Sequence, residues 1–451
     1  MLPVFPQEPV PAGVDKQIWD KVLNTPLIDT HEHLVSESTR LNRTYSKTLY
    51  PADDWTIFFG SYFQSDFAVS GMPKEVIGQI FSDTLDPVAK WDLLEPYWEN
   101  IEHTGYARAI KHSIRMLYGI EELNRESVPL LNEKYLALKK EGFYKHVLHD
   151  VANVEACHVN HIWEDSVFAL NTPFVELDNP DLLMHDIGLL GMFSSGQLNR
   201  ESMQLLYEPA GIEVESIGDW YRVIDWWFDN YASRSVAVKT QDAYHREINY
   251  DRVEKEDVED IFVRKIDGSD VTPEEVKMLE DHLFWYCTGV ATKHNLPVKM
   301  HTGFYAGADY MNLGNLETNM THASQLCFND QGEGRKFVFM HIAYPFQNEL
   351  LAVVKHHTNA YVEMSWSWII DHVATRNFLK QYLTIAPVNK IFVFGGDYQS
   401  VELIPGHAYM VRLGVAQVLT ELVSEGYFSR EDAYVIAEKI MYRNAKQFFN
   451  H

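Results

Sequence analysis

The chain has 451 residues, of which 46% are hydrophobic and 13% aromatic, enough for a large buried core. Its 64 acidic against 38 basic residues give a net charge of −26, which repels phosphate backbones and anionic bilayers, so the expected partner is a small molecule, not nucleic acid or membrane. The sequence shows no apolar run of about 18 residues, no secretory pattern in MLPVFPQEPVPAG, and only three scattered cysteines, so a reducing cytoplasm is the expectation. Homo-oligomerisation is left open.

Short apolar runs that end in a polar residue recur along the chain. The first is PLIDTH at 26–31, within LNTPLIDTHEHLVSE, where an apolar rise leads into Asp29, His31 and His33. The segment from about 35 to 145 is rich in Trp, Tyr and Phe, and its pattern predicts a mostly helical insertion after the first strand. That insertion is expected to cap the mouth of one domain spanning 1–451. The later runs are VEACHVN at 154–160, TPFVEL at 172–177, SVAVK at 235–239 and LPVKMH at 296–301. KFVFMH at 336–341, NAYVEM at 359–364 and KIFVFGGD at 390–397 complete the series.

Helical stretches lie between them. TPEEVKMLEDHLFWYCTGVATKHN at 272–295 opens with a threonine N-cap, a proline at the first helical position and paired glutamates. HAYMVRLGVAQVLTELVSEG follows the last run. Eight strands alternating with helices predict an α/β fold, a (β/α)8 TIM barrel with a large helical insertion after strand 1. Such a barrel places its chemistry at the C-terminal ends of its strands.

On a strand, positions i and i+2 face one way, so His31 and His33 project together while Glu32 points elsewhere. Two neutral imidazoles at a strand end suit a first-row divalent metal. His301, His341 and Asp397 end the fifth, sixth and eighth runs, which puts all of these groups on one rim. Lys239 ends the fourth run. It either reaches solvent from the strand end or faces the metal, where carbamylation by carbon dioxide would make it an anionic bridge between two ions.

This order of His-x-His, Lys, His, His and Asp resembles the amidohydrolase superfamily of metal-dependent barrel enzymes. IDTHEHL, VKMHTG, FMHIAYP and FGGD carry the resemblance, which runs from Leu27 to the C-terminus. It implies His31, His33, His301 and Asp397 as metal ligands, and His341 as a ligand of a second metal or a catalytic acid/base. Lys239 would be the carbamylated bridge of the two-metal branch. One or two divalent ions are implied, zinc first, with manganese, iron or nickel accepted by the same donors. VAVKTQDAYHREINY is similar to the branch fused to glutamine synthetase-like proteins, in which the lysine is followed by a tyrosine and an arginine, here Tyr244 and Arg246.

The expected reaction is hydrolysis of a C–N or ester bond in a small carboxylate-bearing molecule by a metal-activated water. Asp397 is the expected general base, and His341 the group placed to stabilise an oxyanion. Arg246 is the candidate for gripping the substrate carboxylate. Tyr244, Tyr305 in HTGFYAG, and Trp366 and Trp368 in EMSWSWII are candidates for walling the pocket. Two alternatives belong to the same superfamily. One is a uronate isomerase-like enzyme, to which RMLYGIEEL at 115–123 and GHAYMVR at 406–412 are similar; the other is a mononuclear decarboxylase. Lys239 weighs against both, and the absence of an arginine near GGDYQS weighs against the isomerase.

Overall fold

A computed structural model describes residues 8–43, 52–161, 172–309 and 311–450. Its centre is one sheet of eight parallel strands that neighbour one another in chain order. They are β1 (Leu27–Glu32), β2 (Val154–Val159), β3 (Leu183–Gly188), β4 (Ser235–Thr240), β5 (Val298–Met300), β6 (Phe337–Phe339), β7 (Ala360–Glu363) and β8 (Ile391–Phe392). The closing contacts lie beyond β8. The backbone N–H of Thr30 donates to Phe394 O at 2.9 Å, Asp397 to His31 O at 2.8 Å, and His33 to Tyr398 O at 2.9 Å. The sheet is thereby joined to itself as a barrel, with its strands buried on both faces as parallel strands require.

Seven of the eight expected runs contain a strand, and the third does not. TPFVEL lies outside the sheet, alongside the true β3, Leu183–Gly188. Gly188 N donates to Pro173 O at 3.0 Å and Val175 N to His185 Nε2 at 3.1 Å. The sequence LMHDIG lacks the apolar signature because this strand sends Asp186 into the barrel. There the Lys299 ammonium of β5 donates to Asp186 Oδ2 at 2.7 Å and to Thr30 O at 2.7 Å, and lies 2.8 Å from His158 Nδ1. Contacts from β5 to β1, β2 and β3 put that ammonium inside the lumen. Its other neighbour is the Phe449 ring, 4.8 Å away, part of a separate apolar cluster with Ile28, Val236, Val338 and Phe392.

The helix Pro273–Lys293 begins as its sequence predicts. Thr272 Oγ1 accepts from Glu275 N at 3.2 Å and Glu275 Oε2 accepts from Thr272 N at 2.8 Å, a reciprocal cap with Pro273 in the first turn. Between β1 and β2 lie helices Glu37–Asn42, Phe63–Val69, Lys74–Ile80, Pro87–Ile101, Gly105–Tyr118 and Val128–Leu138. Gly105–Tyr118 meets Ile404–Ser424 so closely that a Cβ on Gly406 would sit 1.9 Å from Ala109 O. Gly406 N instead donates to Ser113 Oγ at 2.8 Å, which ties the inserted helices to the helix after β8. Among the described residues, no helix is long and apolar enough to cross a membrane. Cys157, Cys287 and Cys327 are all free and buried.

Candidate metal centre

The centre begins on β1. His31 and His33 project from one face with ring centroids 4.6 Å apart and planes at 83°. Asp397 arrives from the segment after β8 in a left-handed conformation, φ +61°, that non-glycine residues rarely adopt. Its N–H bond to His31 O fixes the turn, and Oδ1 lies 3.0 Å from Nε2 of both His31 and His33. His341, past the end of β6, has φ +59° and brings Nε2 to 3.7 Å from Asp397 Oδ2. His31, His341 and Asp397 each offer a ligand atom within 4.8 Å of the others.

The state of these groups suits a metal. Burial and the nearby Lys239 charge hold His31 well below the usual imidazole range, and burial does the same for His341. Burial would raise the Asp397 carboxyl, but His31, His33 and His341 outweigh it and hold the group ionised, well below the ordinary carboxylate range. Neutral imidazoles around a carboxylate are the donor set of Zn²⁺ and its neighbours. His33 Nδ1 lies 2.7 Å from Asn160 O, which orients Nε2 toward Asp397, the backing a metal-binding histidine needs. His31 Nδ1 and both His341 ring nitrogens are buried without a hydrogen-bond partner, an expensive condition that a bound cation near His341 would relieve.

His301 stands beside the group. Its Nε2 lies 3.0 Å from Phe304 O, its ring is 4.7 Å from that of His341, and burial with the Lys239 charge brings it down to about 3. The three-residue cluster thus takes His341 where the resemblance implied His301. Lys239 does not reach solvent: it is buried, with Nζ 3.0 Å from Met340 Sδ. Burial pulls its ammonium down to about 8, against the opposing charges of Asp397 and Glu363.

These groups floor a cavity of about 490 Å³. Tyr62, from the segment between β1 and β2, lines it and stacks on Trp366 at 4.5 Å. Trp366 is itself fully buried, 5.6 Å from the His341 ring, and backs the wall. Tyr244 lines the cavity, and its hydroxyl accepts from Ala306 N at 3.1 Å. Tyr305 supports Tyr244 from behind, donating to Ala243 O at 3.0 Å, and Trp368 is buried with Nε1 on Val393 O at 2.8 Å.

Arg246 does not line the cavity, contrary to the expectation of a carboxylate grip. Nη1 donates to Glu280 Oε2 at 2.9 Å, Nη2 to Asp281 Oδ1 at 2.5 Å and Nε to Glu247 O at 3.0 Å. Acidic residues of the helix Pro273–Lys293 hold the guanidinium, so its fork is already filled. Sequence reasoning also missed Gln241 and Gln399, which line the cavity. Each lies two positions past a chemistry-bearing residue, Lys239 and Asp397, a spacing that marks them. Tyr62 left no comparable signal, since its position depends on how the insertion folds back.

A second set of acids holds the Asp397 turn. Asp29 Oδ1 accepts from Gly396 N at 3.2 Å and His31 N at 3.1 Å, and Glu32 Oε2 accepts from Tyr398 N at 2.7 Å. Burial raises both carboxyls, Asp29 to about 6 and Glu32 well above the ordinary value, the latter also through Asp29. Glu363 on β7 is pushed up to about 8 by burial and by Asp397.

The family model described as amidohydrolase matches residues 232–450. No curated protein matches the chain. Among solved structures, the fold is similar to a uronate isomerase from Thermotoga maritima, with a TM-score of 0.75, 13% identity and 96% of each chain covered. It is also similar to a glucuronate isomerase from Caulobacter crescentus, with a TM-score of 0.72, 15% identity, and 99% of this chain and 95% of that one covered. A protein from Lactobacillus casei, described only as a candidate metal-dependent hydrolase, gives 0.61 at 13% identity over 97% and 98%. Likenesses at such identity establish a shared fold and nothing further.

Proposed function

We propose that this chain, which belongs to the amidohydrolase superfamily, is a metal-dependent hydrolase that cleaves a C–N or ester bond of a small molecule with water. The observation that carries this reading is an ionised Asp397 whose Oδ1 faces the His31 and His33 imidazoles while Oδ2 stands 3.7 Å from His341 beside a cavity. His31, His33, His341 and Asp397 would hold the ion, with zinc the first choice for imidazole and carboxylate donors. A divalent cation bound there supplies Lewis-acid charge that acidifies water and polarises a carbonyl.

The chain's own residues do the rest. Asp397 accepts the proton of the attacking water and returns it to the leaving group, with Oδ2 the oxygen left for that work. The Tyr62 phenol stays protonated because burial and the Asp397 carboxylate push it well above its usual value. His341, buried and held neutral, brings Nε2 to 3.7 Å from Oδ2, where it would complete the donor set. Tyr62, Trp366 and Leu190 exclude bulk water from the floor. Lys239, with its ammonium brought down to about 8, has an amine available to carbon dioxide, and its carbamate would add an anionic donor for a second ion.

A second reading, uronate isomerisation, takes its support from the names of two structural neighbours. Against it, no arginine lines the cavity among the described residues.

Elemental analysis of the purified protein, then a screen of aryl esters, lactones, N-acyl amino acids, dipeptides and uronates, separates the two. Hydrolysis that falls at least ~100-fold in Asp397→Asn, with bound metal and unchanged unfolding, supports the proposal. A second ion that is lost in Lys239→Ala supports the bridging role. Conversion of a uronate to its ketose with no hydrolysis of any other compound overturns the reading in favour of the isomerase.

A further inference from the structure

The cavity wall has a distinctive charge pattern. Its charged side chains, Lys239 and Asp397, both lie at the floor beside the histidines. The upper wall presents carboxamides, hydroxyls, one imidazole and apolar surface, with Gln241, Gln399, Tyr62, Tyr244, His245 and Leu190 facing the space, and burial lowers the His245 imidazole below its ordinary value. Gln241 follows β4 and Gln399 follows β8, opposite positions in an eight-stranded barrel, so one amide stands on each side of the mouth. Among the described residues, no arginine and no lysine other than Lys239 lines the cavity. The nearest candidate, Arg246, is bound to Glu280 and Asp281.

Primary amides and phenols recognise neutral polar groups, offering a donor and an acceptor at each position. A carboxylate or phosphate held away from the floor would lose its water there and, among the described residues, meet no lysine or arginine, which is heavily penalised. A site built to hydrogen-bond neutral groups also rejects misfits steeply, because its own polar atoms are left unpaired.

We propose that the site takes an uncharged substrate, with the Gln241 and Gln399 carboxamides gripping neutral polar groups across the mouth, and that it discriminates against an anionic group remote from the scissile bond. The identity of the bond rests on the hydrolase reading; the charge preference does not. This class excludes uronates and the carboxylate-bearing substrate implied by the family resemblance. It includes neutral esters, lactones and amides.

The test uses the purified protein and two matched pairs of compounds. In the first, p-nitrophenyl valerate is compared with mono-p-nitrophenyl glutarate, which differ by a terminal carboxylate. The neutral ester should have kcat/KM at least ~30-fold higher. Gln241→Arg should narrow that ratio at least ~10-fold by supplying a guanidinium.

The second pair, valeramide and glutaramate, is read by saturation-transfer NMR and needs no turnover. Valeramide should bind at least ~10-fold more tightly than glutaramate, and less so in Gln241→Arg. If neither ester is cleaved while valeramide is preferred, the hydrolase reading fails and the charge preference stands. Equal or better binding of glutaramate, or no binding of either, overturns the proposal.

Discussion

Gly396, beside Asp397, is where a single methyl should do most damage. A Cβ built there lies 1.8 Å from Glu32 Oε1 and 2.8 Å from its Cδ. Glu32 has nowhere to go: it is fully buried and its Oε2 accepts the Tyr398 N–H at 2.7 Å. The backbone at Gly396 is not left-handed, so the penalty comes from the clash and not from φ. Overpacking of this kind costs about 1–3 kcal/mol. Displacing the carboxyl, which burial and Asp29 hold well above its ordinary value, loses its bond to Tyr398 N, worth about 0.5–1.5 kcal/mol for an uncharged acceptor. Gly396→Ala should therefore destabilise the barrel by about 1.5–4.5 kcal/mol.

The assay is the urea unfolding midpoint, with zinc affinity measured in parallel because the displaced turn carries Asp397. Gly78→Ala serves as the control. Gly78 lies in the helix Lys74–Ile80 with nothing within 4 Å of its added Cβ, and the same substitution there should stabilise by about 0.5–1 kcal/mol. A Gly396→Ala protein with the wild-type midpoint and wild-type zinc affinity would refute the reasoning.

The remaining predictions concern the charges beneath the centre. Glu363 is raised from 4.5 to about 8, so the folded chain holds its proton after the unfolded chain has released it. Its contribution to stability is full below about 4.5 and is lost as pH rises toward about 8, so Glu363→Gln should gain on the wild type across that window. Unfolding midpoints measured from acid to mildly alkaline pH check this; a constant difference would contradict it. Asp186→Ala should cost about 3–5 kcal/mol by stranding the Lys299 ammonium in the lumen, and adding Lys299→Met should restore most of that loss. Equal denaturation of the single and double variants would show that the pair is not coupled.

The sequence made the site legible where strand periodicity and chemistry coincide. His31 and His33 are two apart on an apolar strand, and Asp397 ends another, so their convergence follows from barrel geometry alone. β3 was hidden because its purpose contradicts its signal: a strand that delivers Asp186 to a buried lysine cannot read as apolar. TPFVEL looked more strand-like, yet Phe174 lies against His185, 4.2 Å away, and stacks on Tyr231 at 4.6 Å without joining the sheet. Arg246 was misjudged for a related reason. Its place after β4 pointed to the mouth, whereas its partners Glu280 and Asp281 sit on a helix whose approach no local pattern encodes. Tyr62 depends on the packing of the whole insertion and left no mark in its own neighbourhood.

The left-handed turn at Asp397 bears on how the protein is made. The imidazole pair emerges from the ribosome with the first strand, but the carboxylate that completes the donor set emerges after the eighth. A nascent or truncated chain that stops short of that turn presents histidines without their anionic partner. The backbone bond from Asp397 N to His31 O, which aims that partner, forms only when the two ends of the sheet meet. A cation held by this donor set would therefore bind only once the ring of strands has been completed.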